Sequence, residues 1–269
     1  MNLQEGRPVV ALFENGAVSG SYSWRWVAGR LPDGVTPLTY DRAASSLFDS
    51  VFRRMDYPSV LARVKERLSP YTDCDVIVIG HSIGGLLARA HANALGSRAI
   101  GLVLVDASPP GQFQPGVDHE WRYLRMNQSL LVHALSSATG RPLQEELIED
   151  MWRLPSDASM QATALMRQPR YWMNAYRESR AAGSGWLSAA LFPERESRPM
   201  AIVSSEISAA EHSMQDRFET SLLEASTNGR RLRAQGASHA TVLWDEEHSR
   251  KVNEAIAWVL ARARKDVVA

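Results

Sequence analysis

Val76-Ile77-Val78-Ile79-Gly80-His81-Ser82-Ile83-Gly84-Gly85 is the stretch whose reading decides the fold. Four consecutive β-branched residues are what a fully buried parallel strand requires. Immediately after them Ile83, Leu86, Leu87, Ala90 and Ala94 recur at helical spacing. Strand and helix meet at a G-x-S-x-G, Gly80 to Gly84, which puts Ser82 at the apex of a sharp turn. The flanking glycines suit a turn that brings the two backbones too close for side chains. The helix N-terminus behind Ser82 favours developing negative charge. The spacing alone is a weak signal, and its strand-turn-helix context gives it chemical meaning.

Outward from this unit, short apolar runs alternate with helical periodicity. Val9-Val10-Ala11-Leu12-Phe13 reads as a first strand, followed by a helix around Tyr22 to Leu31 and a short strand from Val35 to Tyr40. Val60, Leu61, Val64 and Leu68 share one face of a helix that ends at Pro70. Ile100 to Val105 is another buried strand. The alternation then breaks: Pro109 to Glu194 shows only helical segments, punctuated by Pro142, Pro155, Pro169 and Gly183/Gly185. It resumes with a strand at Met200 to Ser204, a helix near Gln215 to Ala225, a strand at Arg230 to Ala234 and a final helix from His248 to about Arg262. The pattern predicts an α/β fold with a six-stranded, all-parallel sheet flanked by helices and Val35 to Tyr40 at its edge. Residues 1–108 and 195–269 form the expected core, and residues 109–194 a helical insertion after the fourth strand. No antiparallel hairpin is expected before Val9.

Composition narrows the functional classes. The 269 residues carry 30 Lys and Arg against 30 Asp and Glu, and a pI near 7.1 gives no global attraction to nucleic acid or anionic lipid. Cys74 is the only cysteine, which excludes an intrachain disulfide and a multi-cysteine zinc site. The longest apolar run, Ile100 to Val105, falls far short of the ~18 residues of a membrane span. Met1 to Arg7 lacks the basic start and apolar stretch of a signal peptide. A soluble, cytoplasmic protein with a small-molecule substrate is expected, with neither nucleic acid nor membrane as partner.

Four features together resemble the α/β-hydrolase fold family over nearly the whole chain. They are GHSIGG after a buried strand, LVLVDASPP after the next, the helical insertion that follows, and GASHA before the last helix. Asp41-Arg42 and Thr227-Asn228-Gly229 are also similar to bacterial members. The resemblance implies Ser82 as nucleophile and His239, in the loop before the last helix, as its base. The other histidines fall in helices, in the insertion or beside the serine; His81 reads as packing. The family places its acid after either of two strands, here Asp106 or the loop Ser204-Ser205-Glu206-Ile207-Ser208. Ser205 stands where members using the second position usually have glycine, which favours Asp106, with Glu206 as the alternative and Glu211 and Asp216 behind it. The oxyanion hole would use the backbone N–H groups of Ile83 and Ala17. Glu14, close by, reads as a solvated loop carboxylate.

The insertion would be a cap that sets substrate range. It holds four of the eight tryptophans and five of the nine methionines, which suits an apolar, irregular pocket, although at least half of these residues are expected in the cap's own core. Arg167, Arg170, Arg177 and Arg180 read as a solvated helix face. The implied activity is a Ser-His-Asp hydrolase acting through an acyl-enzyme on an ester, thioester or lactone of a moderately apolar small molecule, without metal or organic cofactor. Serine at the turn argues against haloalkane dehalogenase or epoxide hydrolase chemistry, for which this family uses aspartate there. Two alternatives remain: a lyase, cyclase or acyltransferase in a biosynthetic pathway, and a non-catalytic ligand-binding protein on the same scaffold.

Overall fold

Alternate residues of the central strands fill two separate cores, because successive strand side chains point to opposite faces of a sheet. Ala11, Phe13, Ile77, Ile79, Val103 and Val105 pack into one, and Val10, Leu12, Val76, Val78, Leu102 and Leu104 into the other. A computed structural model describes residues 7–42, 56–109, 117–141, 145–182, 196–207 and 213–266. Pro142, Gly183, Gly185, Glu194, Ser208 and Glu211, named above, lie outside the described residues, as do Trp186 of the insertion, His212, and the side chains of His119 and Trp121.

The strands are β1 (Val9–Glu14), β2 (Val35–Leu38), β3 (Asp75–His81), β4 (Ala99–Val105), β5 (Met200–Ser205) and β6 (Gly229–Ala234). They form one sheet in the order β2-β1-β3-β4-β5-β6, and every pairing is parallel. Helices α1 (Arg25–Ala28), α2 (Tyr57–Arg67) and α3 (Gly84–Leu95) belong to the first half of the sheet. Between β4 and β5 the described elements are α4 (Val117–Ala138), α5 (Glu145–Met151), α6 (Ser156–Met166) and α7 (Pro169–Ala181), with no strand among them. The chain closes with α8 (Ser213–Ala225), α9 (Thr241–Trp244) and α10 (Glu246–Asp266). No helix among the described residues is long and apolar enough to cross a membrane.

Two elements differ from the sequence reading. The helix expected over Tyr22 to Leu31 is a 3-10 turn, Ser21–Trp24, followed by only four α-helical residues; Gly29 then caps it and Pro32 follows. The last helix begins before His248, because Asp245 Oδ1 accepts hydrogen bonds from the N–H groups of Glu247 (2.9 Å) and His248 (3.2 Å), the action of an N-cap.

The helices between β4 and β5 are fastened to the core by polar contacts as well as by packing. Tyr171 and Tyr22 share a hydroxyl hydrogen bond of 2.7 Å, Arg153 Nη1 donates to Asp245 at 2.8 Å, and Trp26 Nε1 donates to the Arg153 carbonyl at 2.9 Å. Trp172 is buried and stacks on His133 at 4.4 Å, whereas Trp152 is exposed.

The tightest helix-sheet approach is at Gly101 of β4, where an added Cβ would sit 2.1 Å from Val259 Cγ1 on α10. Gly101→Ala is expected to lower the unfolding free energy by about 1–3 kcal/mol through overpacking. Val259→Ala should partly offset that loss in the double variant, measured by urea unfolding. Strictly additive losses would contradict the packing account.

Candidate active site

At the end of β3 the backbone turns at Ser82, whose φ is +55°, directly into α3. Such a conformation is strained for any residue with a Cβ, and it is permitted here by what surrounds it. A Cβ on Gly80 would lie 2.3 Å from the Gly84 carbonyl oxygen, and one on Gly84 would lie 2.4 Å from the carbonyl oxygens of both Glu14 and Asn15. Backbone hydrogen bonds fix the turn on both sides. Ser82 N–H donates to the Val105 carbonyl at 3.1 Å, and the Ser82 carbonyl accepts from Gly85 (2.9 Å) and Ser108 (3.0 Å). Ser82 Oγ faces Ser108 Oγ at 3.5 Å, too long for a strong hydrogen bond.

Asp106, just past β4, also has a positive φ, +44°. Its side chain reaches His239, in the loop between β6 and α9, with Oδ2 2.7 Å from Nδ1. A carboxylate can only accept, so Nδ1 donates and Nε2 is the ring nitrogen left for another partner. Ser205 completes the acid's environment: its N–H donates to Oδ1 at 3.0 Å and its hydroxyl to Oδ2 at 2.8 Å. Burial alone would raise the Asp106 pKa, but the His239 hydrogen bond and charge and the two Ser205 donors outweigh it and pull the value from 3.8 to about 2. Glu206 instead accepts from the Gly236 N–H at 2.7 Å, at the turn leading to His239. Asp216 pairs with Arg231 at 2.6 Å.

His81 is more than packing. Its Nε2 donates to the His239 carbonyl at 2.9 Å, and the two rings lie 4.7 Å apart. The end of β3 thus holds the backbone of the histidine loop. Burial, helped by the nearby His239, pushes the His81 pKa down to about 3, so the ring is neutral and its Nδ1 is bare. That nitrogen faces Gly16, where an added Cβ would lie 3.0 Å from it and 3.4 Å from Ser82 Cβ. The loop Asn15-Gly16-Ala17 is therefore packed against the serine.

Glu14 does not behave as a solvated carboxylate. It is fully buried at the end of β1, hydrogen-bonded by Tyr40 and paired with Arg42 at 3.0 Å and with His91 at 3.2 Å. Arg42 is buried too, and its Nε and Nη2 grip the two oxygens of Glu178 on α7 at 3.0 and 2.9 Å. Its Nη2 also donates to the Gly16 carbonyl at 3.0 Å. Burial would strip the Arg42 proton, but the two carboxylates hold the guanidinium firmly charged. Burial pushes the Glu178 carboxyl up, with Arg42 opposing it.

Of the residues expected at the site, Asp106 and His239 are joined by a hydrogen bond, and sequence reasoning missed Ser205, Ser108, Arg42 and Glu178 as their neighbours or those of Ser82. Ser205 carried a signal, its departure from the usual glycine. Glu178 carried none, since its partner is 136 residues away in sequence.

The model of the alpha/beta hydrolase family matches residues 11–255. No curated protein sequence is matched. Solved structures share the fold at low identity. An esterase from Exiguobacterium antarcticum superposes with a TM-score of 0.66 at 14% identity, over 96% of this chain and 93% of that one. For a bromoperoxidase from Bacillus anthracis the TM-score is 0.66 at 15% identity, over 96% and 92%. MenH from S. aureus gives 0.61 at 15% identity, over 98% and 97%.

His81 and Asp106 both contribute to an acid limb, alongside Glu14, which is also held low. His81 titrates lower in the fold than its ordinary 6.5, so the unfolded chain binds that proton first and stability falls as the pH drops from about 6.5 towards 3. Asp106 is also depressed, so its contribution is present above its unfolded value of 3.8 and lost as the pH falls towards about 2. His81→Gln should flatten the upper part of the limb. Asp106→Asn should cost about 2 kcal/mol at pH 7 and flatten the lower part. Urea unfolding between pH 3 and 8 reads both slopes; a limb unchanged in either variant would contradict the assignment.

Proposed function

The chain belongs to the alpha/beta hydrolase family, and on that premise we propose that it is a serine hydrolase cleaving an ester, thioester or lactone of a small molecule through an acyl-enzyme. The observation that carries this reading is the 2.7 Å contact between His239 Nδ1 and Asp106, made beside a serine held at positive φ. The esterase among the structures of like fold is consistent with it. Fold likeness at this identity does not choose a chemistry, so the reading stands on the site.

In the proposed cycle Ser82 Oγ attacks the substrate carbonyl carbon and its proton passes to His239 Nε2. Asp106 keeps the ring in the required tautomer and stabilises the imidazolium that forms. The oxyanion is held by the N–H groups of Ile83 and Ala17. Collapse of the tetrahedral intermediate expels the alcohol or thiol, which takes the proton from His239, and leaves Ser82 acylated. A water molecule, deprotonated by His239, then attacks the acyl carbon; the bond to Ser82 Oγ breaks, the serine takes the proton back from His239, and the carboxylic acid is released.

Arg42 bears on the oxyanion hole through a single peptide group. The Gly16 carbonyl that accepts from Arg42 and the Ala17 N–H belong to the same planar unit and point in opposite directions. Binding the carbonyl from behind fixes the direction of that N–H and polarises it towards the substrate. Residues 109–194 serve as the cap in this reading, and Glu178 on α7 links the cap to the hole by way of Arg42.

A fluorophosphonate probe should label Ser82, and Ser82→Ala should lose the label together with at least about 10⁴-fold in kcat on any ester the protein hydrolyses. Unchanged esterase activity in that variant would sink the proposal. Arg42→Lys keeps the charge but loses the planar fork, and should lower kcat roughly 10–100-fold with KM little altered, since the oxyanion exists only in the transition state. A change confined to KM would remove Arg42 from this role.

A further inference from the structure

A cavity of about 190 Å³ lies where the Asn15–Ala17 loop and Asp41-Arg42 meet α6 and α7. Ala17 forms part of its wall, so the cavity reaches the loop that carries the proposed oxyanion donor. α7 presents Tyr171, Asn174 and Glu178 to it, residues at the i, i+3, i+7 spacing of one helix face.

Nearly every polar group of this wall is already matched within the protein. Asn15 donates to the Tyr40 carbonyl at 2.7 Å and accepts from Trp24 at 2.8 Å. Asp41 accepts from Ser21 N–H at 2.7 Å. Gln168 donates to the Ala164 carbonyl at 3.1 Å and accepts from Arg170 Nε at 2.6 Å. Tyr171 pairs with Tyr22 at 2.7 Å, and Glu178 with Arg42 at 2.9 Å. Asn174 is the exception: it is only 4% exposed, and its amide nitrogen is buried with no hydrogen-bond partner. A buried amide left unmatched is destabilising, and a ligand supplying the missing partner would remove that cost.

The wall also says what kind of group that is. Asp41 and Glu178 oppose Arg42 and Arg170 one for one, so the wall carries no surplus charge to draw in an ion. A hydrocarbon chain would leave Asn174 unmatched. An uncharged group with an acceptor oxygen, as the carbonyl of an amide has, supplies the partner that the Asn174 nitrogen lacks.

We propose that this cavity is a substrate subsite in which Asn174 reads a neutral amide group on the acyl chain. The proposal rests on the hydrolase reading for its reaction but not for its binding. The preferred substrates are then esters of N-acylamino acids or similar amide-bearing acids, rather than simple fatty esters. This shifts the expectation of an apolar substrate towards a mixed one.

Two isosteric esters test it, p-nitrophenyl N-acetylglycinate and p-nitrophenyl 4-methylpentanoate. The readout is the ratio of their kcat/KM values, compared between the wild type and Asn174→Leu so that their different intrinsic reactivities cancel. The amide-to-hydrocarbon ratio should fall about 10–100-fold in the variant, mostly through KM for the amide ester. An unchanged ratio, or an equal loss on both esters, overturns the subsite. An unchanged urea-unfolding midpoint guards against misfolding of the leucine variant, and Asn174→Ser, which keeps a polar group but withdraws the amide nitrogen, should lower the ratio in the same direction.

A binding measurement separates this inference from the hydrolase reading. Isothermal titration of Ser82→Ala protein with N-acetylglycinamide should show binding that weakens at least about tenfold when Asn174→Leu is added. Undetectable binding at millimolar concentration overturns the subsite even if ester hydrolysis is found. Asn174-dependent binding upholds it even if Ser82 proves not to be a nucleophile.

Discussion

At the carboxyl ends of two neighbouring parallel strands the chain is forced through the left-handed region, at Ser82 after β3 and at Asp106 after β4. These are the non-glycine residues with positive φ among those described. Each such conformation costs of order 1–3 kcal/mol and persists only where its surroundings over-determine it. Here the same hydrogen bonds serve both turns. Ser82 N–H closes on the Val105 carbonyl at the last residue of β4, and Ser108, two residues beyond Asp106, closes back on the Ser82 carbonyl. Neither turn is independent of the other, and together they direct a hydroxyl and a carboxylate to the same edge of the sheet. Gly80 and Gly84 follow from this constraint, since the turn brings the start of α3 so close to β1 that a Cβ on Gly84 would lie 2.4 Å from the Glu14 carbonyl oxygen.

Behind the site lies a buried cluster of Glu14, Arg42 and Glu178, with Tyr40 and His91 against it. Such a cluster is weak evidence for stability, because desolvating three charged groups offsets most of their mutual attraction. Its geometry is better explained by position. Arg42 uses separate N–H groups for a carboxylate at the end of β1, a carboxylate on α7 and the Gly16 carbonyl. With the Nε bond to Glu178 it makes four in all, one more than the three donors of a lysine, and spread over three nitrogens rather than one. The cluster therefore fixes the loop after β1 relative to a helix that sequence places in the insertion.

Legibility in the sequence followed the range of the forces involved. β3, its turn and α3 could be read because consecutive β-branched residues, paired glycines and helical spacing are all local signals, and the parallel order of the strands followed from alternation. Ser82, Asp106 and His239 were legible because each ends a strand or sits in the loop that follows one. Glu14 was misread because the first strand was taken to end at Phe13; one residue more carries it into the sheet, where Tyr40, Arg42 and His91 enclose it. His81 was assigned to packing, because nothing in its local sequence shows the reach to the His239 carbonyl, 158 residues away. Ser205 showed itself only as a missing glycine, and its two hydrogen bonds to Asp106 join residues 99 apart in sequence.

Asn174 and Glu178 stand one helical turn apart on α7 and face the same cavity. Glu178 reaches the loop after β1 through Arg42, and Asn174 offers the wall's unmatched amide. If the first sets the oxyanion loop and the second selects the acyl group, the two cannot vary freely. A shift of α7 that enlarged the cavity for a different substrate would also slacken the grip on Arg42, and with it the Gly16–Ala17 peptide. Changes of side chain along α7 that leave its axis in place avoid that coupling. Substrate range in this protein should therefore be easier to alter at Asn174, whose replacement leaves the clamp intact, than by remodelling the helices that carry it.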